Sequence, residues 1–96
     1  MTNENFLQTL ETTIHDRLGN PSTGSYTASL AAMGVKRVAQ KVGEEAVELA
    51  LASVDGGREE VLNEAADLVY HMLVLLSVQD IEFAAVLEIL EARHSE

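Results

Sequence analysis

The 96 residues carry 16 Asp plus Glu against 6 Lys plus Arg, a formal net charge of −10, and so acidic a chain excludes a nucleic-acid backbone or an anionic membrane as its partner. Its length holds one domain, residues 1–96, with a modest core that a second subunit would complete, so a homo-oligomer is expected. There is no cysteine, which excludes a disulfide framework and a thiolate zinc site.

The first ten residues, Met1 to Leu10, are polar and acidic and lack the basic-then-apolar order of a signal peptide. The longest apolar run, Met72 to Leu76, is far too short to span a bilayer, and a cytoplasmic location is the default expectation. Thr2 is placed to cap a first helix carrying Leu7, Leu10, Ile14 and Leu18 at helical spacing, with Gly19-Asn20-Pro21 as its stop. Asn20 to Gly24 reads as a loop, and Ser25 to Met33 predicts a short helix, broken or kinked at Gly34 because glycine costs roughly 1 kcal/mol relative to alanine inside a helix. From Val35 to Val54 a longer helix follows, with Val35, Val38, Val42, Ala46 and Leu49 as its apolar stripe. Glu45 borders that stripe, Glu48 and then Glu44 lie further round, and Lys41 falls between Glu45 and Glu48.

Asp55-Gly56-Gly57-Arg58 is a turn, after which Glu59 and Glu60 suit the positive end of a helix running to about Val78. Its narrow polar strip is Glu60, Glu64, Asp67 and His71. The same line continues as Val74, Leu75 and Val78, so the far half should be buried, between subunits. Asp80 is placed to cap a last helix in which Phe83, Val86, Leu87 and Leu90 recur at helical spacing and close the core. With no strand-period alternation or repeat, the fold class is all-α, a bundle of four to five helices completed by dimerisation.

Two acidic clusters dominate the middle of the chain: Glu44, Glu45 and Glu48 on one helix, Glu64 and Asp67 on the next. Residues three and four apart share a helix face, so each cluster offers a pair of converging oxygens, and an antiparallel return through the glycine turn would set the pairs face to face. A solvated acidic face is the ordinary reading of such residues. Against it stand like-charge repulsion of roughly 0.2–0.5 kcal/mol per i,i+4 pair, with only Lys41 nearby to offset it. Asp67 adds to this, since it stands among Ala66, Leu68 and Val69, where burial of an unpaired charge would be costly. Cations filling the gap remove both problems. Hard oxygen donors without thiolates select magnesium, or manganese, and magnesium commonly completes its shell with water and phosphate oxygens, which points to a polyphosphate substrate.

The remaining polar residues carry less. His71 reads as a core histidine satisfied by its neighbours, supporting Asp67 at most. Lys36, Arg37 and Lys41 form a small basic group, able to touch phosphate oxygens or simply to pair with the glutamates. Glu91-Ala92-Arg93-His94 has the spacing of di-iron bundles but occurs once, at a terminus. Ser25 and Thr27 have no histidine partner in sequence, so a nucleophilic triad is unsupported.

The pattern Glu44-Glu45-x-x-Glu48 followed by Glu64-x-x-Asp67 resembles the motif of the all-α nucleoside triphosphate pyrophosphohydrolases, which include the MazG-like and dimeric dUTPase-like enzymes. Ser25-Tyr26-Thr27, the stretch Lys41 to Glu45 and the stretch Asp67 to Val74 are similar to the phosphoribosyl-ATP pyrophosphatase family of histidine biosynthesis, over nearly the whole chain. The resemblance implies magnesium-dependent hydrolysis of 1-(5-phosphoribosyl)-ATP to 1-(5-phosphoribosyl)-AMP and pyrophosphate by a helical dimer. It implies Glu45, Glu48, Glu64 and Asp67 as metal ligands, and Glu44 as a further ligand or as the group orienting the attacking water. Lys41, with Lys36, would lean on the phosphates, and Ser25, Tyr26 and Thr27 would line the substrate pocket. Some members are fused to a cyclohydrolase domain with cysteine ligands for zinc; the absence of cysteine makes a stand-alone pyrophosphatase the expectation here.

Overall fold

Five helices joined by short connections make up the computed structural model, which describes residues 3–20 and 25–95. They are α1 (Asn3–Gly19), α2 (Tyr26–Ala32), α3 (Val35–Asp55), α4 (Arg58–Ser77) and α5 (Phe83–His94), and no strand occurs among the described residues. The all-α expectation holds. Thr2, expected as a cap, and Pro21 to Gly24 of the expected loop lie outside the described residues.

Local chemistry accounts for the breaks. Ser25 caps α2, its Oγ accepting a hydrogen bond from the Ala28 amide at 3.1 Å. Gly34 follows with φ of +92°, a backbone conformation that an L side chain rarely adopts, and this turns the chain into α3. At the other end of α3 the Gly56 amide donates to the Ala52 carbonyl at 2.7 Å, and a Cβ on Gly56 would stand only 2.8 Å from that oxygen. The turn is therefore tight enough to need glycine. Glu59 and Glu60 occupy the first turn of α4, where the helix dipole favours them, as expected.

The start of α5 differs from expectation. Asp80 is not its cap: it sits at φ of 64°, one of the few side chains tolerant of that region, and belongs to the close of α4. There the Asp80 and Ile81 amides donate back to Ser77 and Leu76 carbonyls. The first residue of α5 is satisfied from a distance instead, the Phe83 amide donating to Glu11 Oε2 of α1 at 2.7 Å.

Ile14 of α1, Leu30 of α2, Val38 of α3, and Leu73 and Val74 of α4 form the buried core, with Leu7, Leu10, Leu18, Tyr70 and Phe83 packed around it. The helices α3 and α4 fold back on one another along their length. On α3 the buried residues are Val38, Glu45 and Ala52, spaced by seven as in a coiled-coil seam. The apolar stripe read from sequence has to be corrected accordingly: Val35 and Ala46 are exposed, and Glu45 lies in the seam rather than at its border. A second correction concerns α5, which does not close the core of the single chain. None of its residues is buried; Phe83 alone packs on the core, while Leu87 and Leu90 are about half exposed.

The far half of α4 is largely covered, but by α1, α2 and α3 of the same chain rather than between subunits, and other apolar faces stay open. Val47, Leu51 and Val54 of α3 and Leu62 of α4 are exposed, Leu51 at 64%. Accessible surface totals 6833 Å², against about 5,400 Å² for a compact monomer of this mass. The radius of gyration is 14.5 Å, against about 12.5 Å for a compact domain of this length. Among the described residues no helix is long and apolar enough to cross a membrane.

Replacing Glu11 with Ala removes the side chain that, among the described residues, satisfies the α5 amide end, and should cost about 1 kcal/mol. Amide exchange at Phe83 to Val86 checks it: those amides should lose protection while Leu73 and Val74 keep theirs.

Candidate active site

The seam that buries Val38 and Ala52 also carries Glu45 into the interface between α3 and α4, where it is 7% exposed. Glu48 follows one turn later on α3, and Glu64 arrives from the second turn of α4. Each turns a carboxylate oxygen into one cluster whose atoms lie within 4.8 Å of one another. Three acids in that space repel. Glu48 is held above the usual carboxylate range by its hydrogen bond to Glu45, then by the charges of Glu45 and Glu64. Glu64 is raised by desolvation, then by Asp67, Glu45 and Glu60.

Asp67 stands outside the three-oxygen group, one turn along α4 from Glu64. It is exposed, contrary to the expectation that it is the buried carboxylate; that position falls to Glu45, because the seam runs through His71 and Val74 on α4. Glu44 is also separate, drawn back along α3. Gln40 Nε2 donates to its Oε2 at 3.0 Å, and Lys41 and Arg37 approach at 3.7 and 3.9 Å. The Gln40 hydrogen bond lowers its pKa, with burial opposing and Lys41 and Arg37 assisting.

Lys41 Nζ lies 3.5 Å from Glu45 Oε1 and so joins the two acidic groups. Desolvation acts to lower its pKa, but Tyr26, Glu45 and Glu44 together raise it. An open cleft of about 530 Å³ is lined by Lys41, Gly43, Glu44, Glu45, Val47 and Glu48, within the size range of ligand pockets. Lys36 is exposed on the first turn of α3; the cations that pair with glutamate are Arg37 and Lys41.

The α2 segment is fastened to α4, and its Ser25, Tyr26 and Thr27, expected to line the substrate pocket, are not among the residues lining the cleft. The Ser25 hydroxyl is committed to capping, whereas Tyr26 Oη bonds His71 Nε2 at 3.0 Å and Thr27 Oγ1 bonds Tyr70 Oη. His71 Nδ1 in turn donates to the Asp67 carbonyl at 2.7 Å, so this histidine is satisfied by its neighbours, as its sequence context suggested. Neither Tyr70 nor Gln40 stands out in the sequence. Adjacency to Asp67 and His71 was the available signal for the first, and i,i+4 spacing to Glu44 for the second. His94 bonds the Leu90 carbonyl on an exposed helix, and no metal-ligating group involves it among the described residues.

Comparison with known proteins decides the kinship. Residues 7–94 match the family described as phosphoribosyl-ATP pyrophosphohydrolase. The chain belongs to that family. Its relatives include the histidine biosynthesis bifunctional protein HisIE of Yersinia pestis, 53% identical over 89 residues, which are 93% of this chain and 44% of the relative. The protein of the same name from Photobacterium profundum is 49% identical over 90 residues, 94% of this chain and 44% of the relative. That of Salmonella typhimurium is 52% identical over 89 residues, with 93% and 44% covered. The chain thus spans about 44% of the length of these curated relatives.

The raised acids set a pH dependence. A carboxyl whose folded pKa exceeds its unfolded value near 4.3 binds more protons when folded, so stability falls as pH rises through the window above that value. Glu44, with a lowered pKa, acts oppositely and loses its contribution as pH falls. In chelator, Glu48→Gln should therefore melt higher than the parent at pH 7, with the difference shrinking toward pH 5. Calorimetric melts at both pH values check this; a variant that melts lower at pH 7 contradicts it.

Proposed function

We propose that this chain hydrolyses 1-(5-phosphoribosyl)-ATP to 1-(5-phosphoribosyl)-AMP and pyrophosphate, the second step of histidine biosynthesis, as a magnesium-dependent homodimer. The observation that carries the reading is the crowding of Glu45, Glu48 and Glu64 oxygens within 4.8 Å in a chain of this family. The donor set is all carboxylate, and its mutual repulsion is the kind a divalent cation relieves, which fits magnesium and also manganese.

Glu45, Glu48 and Glu64 would hold the ion, with Asp67 one turn beyond completing the set. When bound, the metal supplies charge neutralisation for the triphosphate and acidifies a water molecule. The protein's own contribution is placement and electrostatics. Lys41, held between Glu44 and Glu45, offers its ammonium to the phosphates. Glu44 is kept ionised by Gln40, which suits orienting the attacking water by accepting its hydrogen bonds. Ser25, Tyr26 and Thr27, expected to touch substrate, are not among the residues that line the cleft. Lys36 is available to phosphate oxygens only at the periphery.

Support for the homodimer lies in the surface. The excess of accessible area over a compact monomer is about 1,400 Å², comparable to what each subunit of an obligate dimer buries. The open apolar faces of α3, α4 and α5 are the surface to be covered.

Glu48→Gln and Asp67→Asn should keep the helical circular dichroism and lose about a hundredfold or more in turnover. Pyrophosphate release should be compared on phosphoribosyl-ATP, dUTP and dCTP; preference for either deoxynucleotide would replace the histidine-pathway reading by general nucleotide hydrolysis. Millimolar magnesium should raise the melting temperature of the parent and much less that of Glu48→Gln, and no rise in either would speak for a non-catalytic helical module. By light scattering the parent should have twice the 10.4 kDa chain mass, and Leu51→Glu should shift it toward monomer. A monomeric parent removes the dimer.

A further inference from the structure

Gly43 stands midway along α3 (Val35–Asp55), where glycine is a poorer helix former than any residue but proline. Among the described residues nothing requires it there. Its φ is not positive, so a side chain would be unstrained, and a Cβ built on it meets nothing within 4 Å. Alanine would fit and would strengthen the helix.

Gly43 also lines the cleft that holds Glu44, Glu45 and Glu48. Successive residues of a helix are about 100° apart, so Gly43 and Val47 stand side by side on α3, Glu44 and Glu48 come next round, and Lys41 and Glu45 lie beyond. The cleft therefore has two flanks. On one, Lys41 Nζ lies 3.5 Å from Glu45, whose carboxylate joins those of Glu48 and Glu64 in the group of oxygens within 4.8 Å. On the other, Val47 is apolar and 58% exposed, and at Gly43 the helix backbone is bare. Leu51 and Val54 carry the apolar line onward without lining the cleft, and these are the residues left to a second copy.

We propose that Gly43 and Val47 seat the base of the nucleotide substrate, a purine ring lying flat across the bare backbone at Gly43 and against the Val47 methyls. A flat uncharged ring gains by covering apolar surface, and it comes closer to a helix at glycine than at any residue with a Cβ. The helix propensity given up at position 43 is explained by that approach. Phosphates find no cation on this flank and are left to Lys41 and the cation site across Glu44 and Glu48. This rests on reading the acidic site as one for a nucleoside triphosphate derivative, and it adds which residues take the base.

The test pairs two ligands, phosphoribosyl-ATP and inorganic tripolyphosphate, which has the phosphates and no base. Both are titrated calorimetrically into the parent, Gly43→Ala and Val47→Ala, with calcium replacing magnesium to suppress turnover. Each variant should weaken phosphoribosyl-ATP about tenfold, the scale of one methylene added to or lost from a pocket, and leave tripolyphosphate within about twofold. In chelator without ligand, Gly43→Ala should melt about 5 °C above the parent and keep the parent's mass by light scattering. A variant that is more stable yet binds more weakly separates contact with the base from a structural role of the glycine. Unchanged or tighter phosphoribosyl-ATP binding in either variant, equal losses for both ligands, or a lower melting temperature of Gly43→Ala would overturn the proposal. So would a fall of that variant's mass toward the monomer, which would give Gly43 to the second copy. A parent that does not bind phosphoribosyl-ATP takes down the proposed substrate and the seat with it; a parent that binds both ligands, with Gly43→Ala indistinguishable from it, takes down the seat alone.

Discussion

Burial of Glu45 between α3 and α4 is the constraint on which the other features depend. A carboxylate that is 7% exposed in a helical seam is costly unless it is paired, and among the described residues Lys41 at 3.5 Å is the cation that pairs with it. The same seam brings Glu48 and Glu64 against it, so the nearest further neighbours are more negative charge. An apolar residue at position 45 would serve α3–α4 packing better, as Val38 and Ala52 do seven residues to either side. The seam therefore gives up stability at its middle, and the loss has the character of a site.

Three different supports keep that arrangement in place. Gly56 permits the tight return that sets α4 against α3, and the acidic first turn of α4 complements its dipole. Gln40 and Arg37 hold Glu44 back from the three-oxygen cluster, which limits the crowding to Glu45, Glu48 and Glu64. Thr27 and Tyr26 fasten α2 to Tyr70 and His71, one turn beyond Asp67, so α2 is positioned by the same helix that carries Glu64.

The periphery is built differently. Phe83 is the anchor of α5 on the core, and the Glu11 carboxylate satisfies its amide. Leu87, Ile89 and Leu90 face outward together with Val47, Leu51 and Val54 of α3. The apolar faces left open on α3, α4 and α5 account for the small core and the large accessible surface alike.

Helix number, the boundaries of the first four helices and the breaks at Gly34 and Gly56 were legible in the sequence because they depend on local chemistry: apolar spacing, glycine and capping groups within a few residues. The acidic motif was legible for the same reason, since i,i+3 and i,i+4 spacing puts its members on common faces. Which acid is buried was not. That is decided by the crossing of α3 over α4, whose seven-residue seam puts Glu45 inside and leaves Asp67 and Glu44 outside, and a crossing belongs to two helices rather than to either sequence. Likewise Asp80 looked like a cap by position, whereas the amide it would have served is met by Glu11, 72 residues away. Composition and spacing determine the helices and their charge; only their packing decides which charges meet.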